Sequence, residues 1–382
     1  MATSNWQFNK TNYTGLDFTS KVLSATVKQG REKYLDPYSG GVMTFTINNT
    51  GNYATNFAFN DKIVLRRNGE TSGFQDWWTI QEIDFNDYPG NTGMPTATIT
   101  CVDALARAGR YQATAQALTQ TTTWGQAAQF NGAPLPSDLI VYTPTGGGGN
   151  STASAQTYTG TVLNQINSLN ATERGVVSTG VRTTPGLQYI FPYARNQITN
   201  QTVTGWVIGR TSSTSSIAYD QFDRIQNGLQ FFNTATIDAL GLASQTETNA
   251  TSVTTYGAAF FSSSTVDVDT TQADANASWL VNTFSDPASL RFVVSFTDLM
   301  QDAIPYYALM TQLPKQFVVQ LNYRIPGAGS DTSVQTVIEG WNLNITPAQT
   351  RWTLYLSPLT YYQFFTLDSS TLGILDTSRL GW

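Results

Sequence analysis

Apolar and polar residues alternate, one for one, through short segments near both ends of this chain. Met43, Phe45 and Ile47 interleave with Thr44, Thr46 and Asn48. Ala97, Ile99 and Cys101 interleave with Thr96, Thr98 and Thr100. Far along the chain, Phe317, Val319, Leu321 and Tyr323 repeat the pattern, apart from Val318. Trp352, Leu354 and Leu356 do the same around Thr353 and Tyr355. A period of two sends successive side chains to opposite faces, so each segment predicts a half-buried strand. Strands of this kind must cover one face against another layer, which commits the chain to packed sheets.

The punctuation agrees. Gly40-Gly41 reads as a turn before the first of these strands. Asn60-Asp61 precedes a strand beginning at Ile63-Val64-Leu65, Trp77 to Phe85 forms a third, and Pro89-Gly90-Asn91 turns the chain again. Leu290 to Phe296 is a near-continuous apolar run, and Gln335 to Ile345 carries Val337, Trp341 and Leu343. Composition supports the same class. Charged residues are 12% of the 382, about half the usual share. Hydrophobic residues are 40% and aromatics 12%, enough to bury, with Thr prominent among the polar remainder.

Helical spacing appears in the middle. From Thr161, residues Val162, Leu163, Ile166 and Leu169 share one face, and Gly175 ends the run. From Thr270, residues Ala273, Ala277, Leu280, Val281 and Phe284 do likewise, with Pro287 as the stop. Asp103 is placed to cap a short helix that Gly109 closes. Gln188 to Phe191, and Leu229 to Asn233 continuing through Thr234 to Ile237, read as strands. Residues 111–160 form a looser region. Its Gly146 to Gly149 run reads as a flexible loop or linker, since Asn150 follows where a phosphate-binding loop needs Lys. The expected fold is mainly β (a β-rich α+β chain), with two β domains, 1–112 and 290–382, flanking a mixed region at 113–289 with two helices.

Several function classes fall away. The sequence contains no histidine, which removes Ser-His-Asp and Cys-His pairs and His-ligated metal sites. Cys101 stands alone, so no internal disulfide or thiolate cluster can form, consistent with assembly in a reducing cytoplasm. The net charge is -6 and the pI about 4.7, opposite to the basic patch that holds phosphates. The opening residues show no basic region followed by an apolar core, and no stretch reaches the ~20 apolar residues of a membrane helix.

Few residues invite sharper readings. Asp267 and Asp269, an Asp-x-Asp pair on an expected strand, could face a calcium ion, although a solvated strand face explains them better. Asp84 and Asp87 could form a glycosidase pair, but the following turn accounts for both. Trp77-Trp78 could stack on sugars, with a buried strand or subunit contact the favoured reading. Arg66-Arg67, Arg107 and Arg110 read as surface or interface charges. Asn12-Tyr13-Thr14 matches a glycosylation signal that matters only in a secreted eukaryotic protein. No catalytic, cofactor-binding or metal residue is assigned, and neither cofactor nor enzymatic activity is expected.

Segments in order along the chain resemble the minor tail proteins of siphophages, in the class of baseplate-hub-like tail tip proteins. They are Gly40 to Asn49, Thr98 to Arg107, Ala218-Tyr219-Asp220 with Asp223 to Asn227 and Phe232-Asn233, Ser252 to Gly257 with Ser285-Asp286-Pro287, Val337 to Pro347 with Trp352 to Pro358, and Phe365-Thr366-Leu367-Asp368 through Leu372 to Trp382. Residues 111–160 have no counterpart. The resemblance implies two tube-like β domains per chain and self-association into a ring, a trimer favoured, at the tip of a long non-contractile tail. It implies distal tail, tail tube and tip or fibre proteins as partners, and DNA only in passage. No membrane insertion is implied, and the expected location is the virion tail tip after assembly in the host cytoplasm. A receptor- or glycan-binding module is the alternative.

Overall fold

A computed structural model describes residues 6–10, 15–67, 76–86, 93–143, 149, 151–180, 187–199, 207–211, 216–226, 230–287, 290–299 and 318–362. The turn at 89–91, Asp87, the 12–14 sequon, Gly146 to Gly148, Phe317 and the segment from Phe365 to the end lie outside these residues.

The N-terminal strands are β1 (Trp6–Lys10), β2 (Val22–Gly30), β3 (Val42–Asn48), β4 (Lys62–Arg67), β5 (Asp76–Asn86) and β6 (Thr96–Val102), followed by α1 (Ala104–Ala108). The next stretch holds β7 (Gln112–Leu118), β8 (Thr121–Thr122), α2 (Thr123–Ala127), β9 (Leu139–Val141), β10 (Thr152–Ala153), β11 (Gln156–Thr161), α3 (Val162–Glu173), β12 (Val176–Gly180), β13 (Gln188–Tyr193) and α4 (Arg195–Thr199). Then come β14 (Val207–Gly209), β15 (Ser216–Ala218), β16 (Gln221–Gln226), β17 (Thr234–Ala239), β18 (Gln245–Thr248), α5 (Ala250–Tyr256), β19 (Phe260–Thr265) and α6 (Thr270–Phe284). The chain continues through β20 (Leu290–Leu299), β21 (Val318–Tyr323), β22 (Thr332–Ile345) and β23 (Gln349–Pro358). The fold is mainly β.

Thirteen strands share one sheet. β22, 14 residues long, is its spine. The first half of β22 pairs with β21, from Thr332 opposite Tyr323 to Val337 opposite Val318. Its second half pairs with β2, from Gly340 opposite Gly30 to Ile345 opposite Ala25. β23 runs antiparallel along its other edge. N-terminal and C-terminal strands are thus hydrogen-bonded into one surface. β14, β15 and β16, from the intervening sequence, join the same sheet.

The alternation works as expected. Met43, Phe45 and Ile47 are fully buried, as are Ala97, Ile99 and Cys101. They meet Phe8, Phe18 and Phe57 in one continuous core, where Trp6 packs 5.8 Å from Trp352 and Trp341 5.7 Å from it. Aromatic burial of this density supplies much of the apolar area removed from water.

The expected caps form as well. The Asp103 carboxylate accepts from the Ala106 amide, Thr161 from Asn164, and Asp269 (one residue before the expected start) from Gln272. α3 ends at Glu173, with Arg174 rather than Gly175 taking the left-handed position at φ 56.

Four expectations need correcting. Gly40-Gly41 does not form a turn. A Cβ on Gly40 would collide with Ala106, and one on Gly41 would stand 2.5 Å from Asp103 Oδ2, so the pair admits α1 against the strand. Residues 111–160 are more ordered than loose, since their described part holds five strands and α2. The 229–237 strand begins only at Thr234. Asn233 is turned inward, its amide donating to Gly257 O and accepting from the Ala259 N–H. Besides the two expected helices the middle carries short α2, α4 and α5, whose apolar spacing is too brief to register as periodicity.

Candidate functional site

The side of the sheet turned away from the core presents a largely polar surface, with Val42 exposed among its polar residues. Register fixes its rows. Glu82 of β5 lies opposite Thr100, Thr100 opposite Thr44, Thr44 opposite Thr26, and Thr26 opposite Asn344. Asn344 then faces Arg351, and Arg351 faces Thr297. A parallel row runs from Lys28 through Asn342, Thr353 and Ser295 to Gln221. A shorter one joins Asp84, Thr98, Thr46 and Ser24. Period-two geometry makes this inevitable once strands with alternate residues buried pair in register.

Contacts within and between the rows are hydrogen bonds of hydroxyls and amides, with one guanidinium among them. Thr46 and Thr98 hydroxyls stand 3.5 Å apart, those of Ser295 and Thr353 3.0 Å, and Arg351 Nη2 donates to Gln221 Oε1 at 3.2 Å. A groove of about 420 Å³ lies over Thr26, Lys28, Thr44, Asn342, Asn344 and Arg351. Its charged lining residues are Lys28, which is bonded to Glu32 at 2.9 Å, and Arg351, while Glu82 and Asp84 stand farther along the same rows. A row made mostly of hydroxyls and amides binds water well and lacks the clustered Lys and Arg of a phosphate-binding surface.

Two polar junctions, one partly exposed around Asp138 and one buried around Arg31 and Glu339, lie beside this surface. Asp138 is shared by Lys62, at 2.9 Å, and by both terminal nitrogens of Arg107, at 3.0 Å each. Gln188 accepts from Thr79, Lys62 and Arg107 and donates to the Trp77 carbonyl. Burial opposes ionisation of Asp138, but the hydrogen bonds from Arg107 and Lys62 outweigh it and hold its carboxyl below the usual range. Burial and the neighbouring Arg107 outweigh Asp138 at Lys62, whose ammonium is pushed down; one carboxylate divided between two cations compensates neither fully. At the spine of the sheet, Arg31 Nε meets Glu339 Oε2 at 2.7 Å, and Tyr362 donates to Glu339 Oε1 at 2.7 Å. The Arg31 guanidinium lies 4.8 and 4.6 Å from the Tyr34 and Tyr38 ring centres.

The sequence-derived candidates fall elsewhere. Asp267 is not on a solvated strand face: it is fully buried, accepting from Thr265 at 2.5 Å and Gln272 at 2.7 Å, while Asp269 caps α6. Among the described residues no group of three His, Cys, Asp or Glu side chains could hold a metal. Asp84 is exposed on the polar surface. Trp77 and Trp78 are both buried within β5, leaving no open sugar platform there. Arg107 is buried against Asp138 rather than lying on the surface, whereas Arg110 is exposed and Arg66 half-buried. Arg31, Glu339, Asp138 and Gln188 carried no sequence signal, because each matters only through partners distant in the chain. No helix among the described residues is long and apolar enough to cross a membrane.

No protein-family model matches the sequence, and no curated protein matches it. Solved structures do resemble the fold. A tail protein from Neisseria meningitidis MC58 aligns with a TM-score of 0.61 at 10% identity, over 93% of this chain and 96% of that one. The 43 kDa tail protein of prophage MuSo2 from Shewanella oneidensis aligns with a TM-score of 0.57 at 13% identity, over 94% and 98%. The chain has the fold of these tail proteins along nearly its whole length.

Proposed function

We propose that this chain is a structural, non-catalytic subunit of a phage tail tip. In this reading it forms a hub ring that joins the tail tube of a long non-contractile tail to distal tip proteins and encloses a channel for DNA. The observation that carries the reading is the end-to-end likeness to two tail proteins at over nine-tenths coverage of each chain. Whole-chain coverage argues for a shared architectural role more than a borrowed module would.

The polar surface supplies the physical complement. A wall rich in Thr, Ser and Asn, without clustered Lys and Arg, lets a phosphate backbone pass without trapping it, and a basic wall would hold it. Open strand edges supply a means of repeating contact around an axis. The test is the mass of the purified chain by light scattering, followed by negative-stain imaging, alone and with tail-tube subunits. A closed ring with a central hole is expected. A monomer that ignores tube subunits and binds cell-wall polysaccharide would replace this reading with the glycan-binding one.

A further inference from the structure

We propose that the outer face of the three-stranded sheet β18-β17-β19 docks another tail protein, one that offers lysine and arginine side chains around an apolar contact, with Phe260 as the anchor on this chain. The inference rests on the reading of the chain as part of a tail and names a surface and a partner chemistry within it. β17 pairs antiparallel with β18 and parallel with β19. α6 packs against β17 and β18 from one side, and Ala235, Ile237 and Ala239 lie buried in the core with Ala273 and Leu280. The other side is open among the described residues: Thr246, Thr248, Phe260, Ser262 and Ser264 are exposed there.

Register sets this face in rows. Phe260 lies opposite Thr234 and Thr234 opposite Thr248; Ser262, Thr236 and Thr246 form the next row, and Ser264 and Asp238 a third. The hydroxyls are paired across the strands, Thr236 with Thr246 at 2.9 Å and Thr234 with Thr248 at 3.2 Å. Asp238 accepts from Ser244 at 2.6 Å and from Ser262 at 3.2 Å. The face is thus ordered before a partner arrives, which lowers the entropic cost of docking. Phe260 stands at its end, 76% exposed, the most exposed large apolar side chain among the described residues. Asn233 fixes the approach to it, donating to Gly257 O and accepting from the Ala259 N–H. Leu240 and Tyr256, in the same lobe, are 49% and 55% exposed. A single exposed apolar residue is ordinary, but three in one lobe beside an uncovered sheet face mark an interface, and aromatic side chains are enriched at such contacts.

Charge selects the partner. No lysine or arginine occurs between Arg224 and Arg291, a stretch that holds six acids: Asp238, Glu247, Asp267, Asp269, Asp274 and Asp286. The whole chain carries 26 acidic and 20 basic residues, so the remainder holds 20 of each, and the formal net charge of -6 belongs to this stretch alone. Asp238, Asp269, Asp274 and Asp286 are exposed and Glu247 is half-buried. A lobe of this sign repels phosphate-bearing partners, DNA and anionic lipid among them, and repels the same lobe of a second copy. It draws in a protein face rich in Lys and Arg and brings it onto Phe260, where apolar burial holds it.

The test uses tail particles assembled with the full chain. Carbodiimide joins carboxylates to the lysine amines they touch, and mass spectrometry identifies the linked peptides. Links from Asp238, Glu247 or Asp274 to a tail polypeptide other than this chain are expected. Links to a second copy of this chain alone overturn the proposal, as does the absence of links from these residues. The linked polypeptide, purified, is then titrated against the free chain. Phe260→Ser should weaken binding about tenfold or more. Asp238→Asn should slow association at low salt, and the difference should vanish at high salt. Both side chains are exposed, so both variants should unfold at the parent's midpoint. Unchanged affinity in Phe260→Ser overturns the anchor and the proposal with it. Incorporation separates this proposal from the reading it rests on. If the parent joins tail particles but forms no such links, the docking face alone is wrong; if it never joins them, the tail reading falls first.

Discussion

Arg31 Nε and Glu339 Oε2 lie 2.7 Å apart with their side chains 3% and 0% exposed, although 308 residues separate them in sequence. Glu339 sits where β22 changes partners from β21 to β2, in the bulge between Ile338 and Gly340. The Arg31 amide also donates to the Glu339 carbonyl at 3.0 Å. The pair therefore clasps the sheet at the point where its N-terminal and C-terminal strands meet. Removing one partner strands the other charge in the core. Glu339→Ala should cost about 3–5 kcal/mol in urea unfolding. Replacing both, as Arg31→Met with Glu339→Leu, should cost clearly less than the two single changes summed, and additive losses would contradict the coupling.

Gly340 is required by close approach. A Cβ there would stand 2.6 Å from the Arg31 carbonyl and 2.7 Å from that of Gln29, both backbone atoms. Gly340→Ala must push β2 and β22 apart. A loss of about 1–3 kcal/mol is expected, read as a shift of the urea midpoint, while alanine at exposed Gly329, where a Cβ meets nothing, should change little.

Asp138 makes stability fall in acid. Its native carboxyl lies below the ordinary 3.8 because Arg107 and Lys62 bond to the charged form more than burial opposes it. A lowered native value contributes stability that is present above the unfolded value and is lost as pH falls through the native one. The loss should therefore fall at and below pH 3.8. Asp138→Asn should be less stable than the parent near neutrality and lose less on acidification, as measured by unfolding midpoints across the range.

Asp267 has the opposite sign. Burial, only partly countered by Thr265, Gln272 and Arg174, raises its carboxyl above 3.8. Its stabilising contribution is complete below that value and disappears as pH climbs through the raised one. Asp267→Asn should flatten this part of the stability profile just above pH 3.8, and an unchanged profile would show that the carboxyl titrates normally.

The charge of the sheet surface can be altered without touching the core. Thr44→Arg, Thr100→Arg and Asn344→Arg sit in one row above buried Phe45, Ile99 and Leu343. Stability should change by no more than about 0.5 kcal/mol per site. Assembled particles should acquire salt-sensitive DNA binding and release DNA more slowly, in fluorescence-polarisation and ejection assays. Rapid release from a closed ring carrying all three changes would place the channel elsewhere.

Much of the fold is legible in the order of residues. The alternation around Phe45, Ile99 and Leu354 correctly separates core from surface, and Asp103 and Thr161 announce their helices. These signals involve atoms only a few residues apart, so local sterics and hydrogen bonding decide them. Gly40-Gly41 misleads because a glycine serves a turn and a close approach equally well, and only the position of Ala106 distinguishes them. Asp267 misleads because a carboxylate is buried or solvated according to whether Gln272 and Thr265 converge on it.

The sequence by itself determined which side chains face inward, where helices begin, and that no histidine chemistry is available. The tertiary structure alone decided that β22 joins β2, that Arg31 finds Glu339, and that scattered Thr and Asn residues align into one polar wall. Strands pair through backbone groups that nearly every residue carries, so the identity of a distant partner leaves no local mark in the chain. It emerges only when the cores on both sides close together.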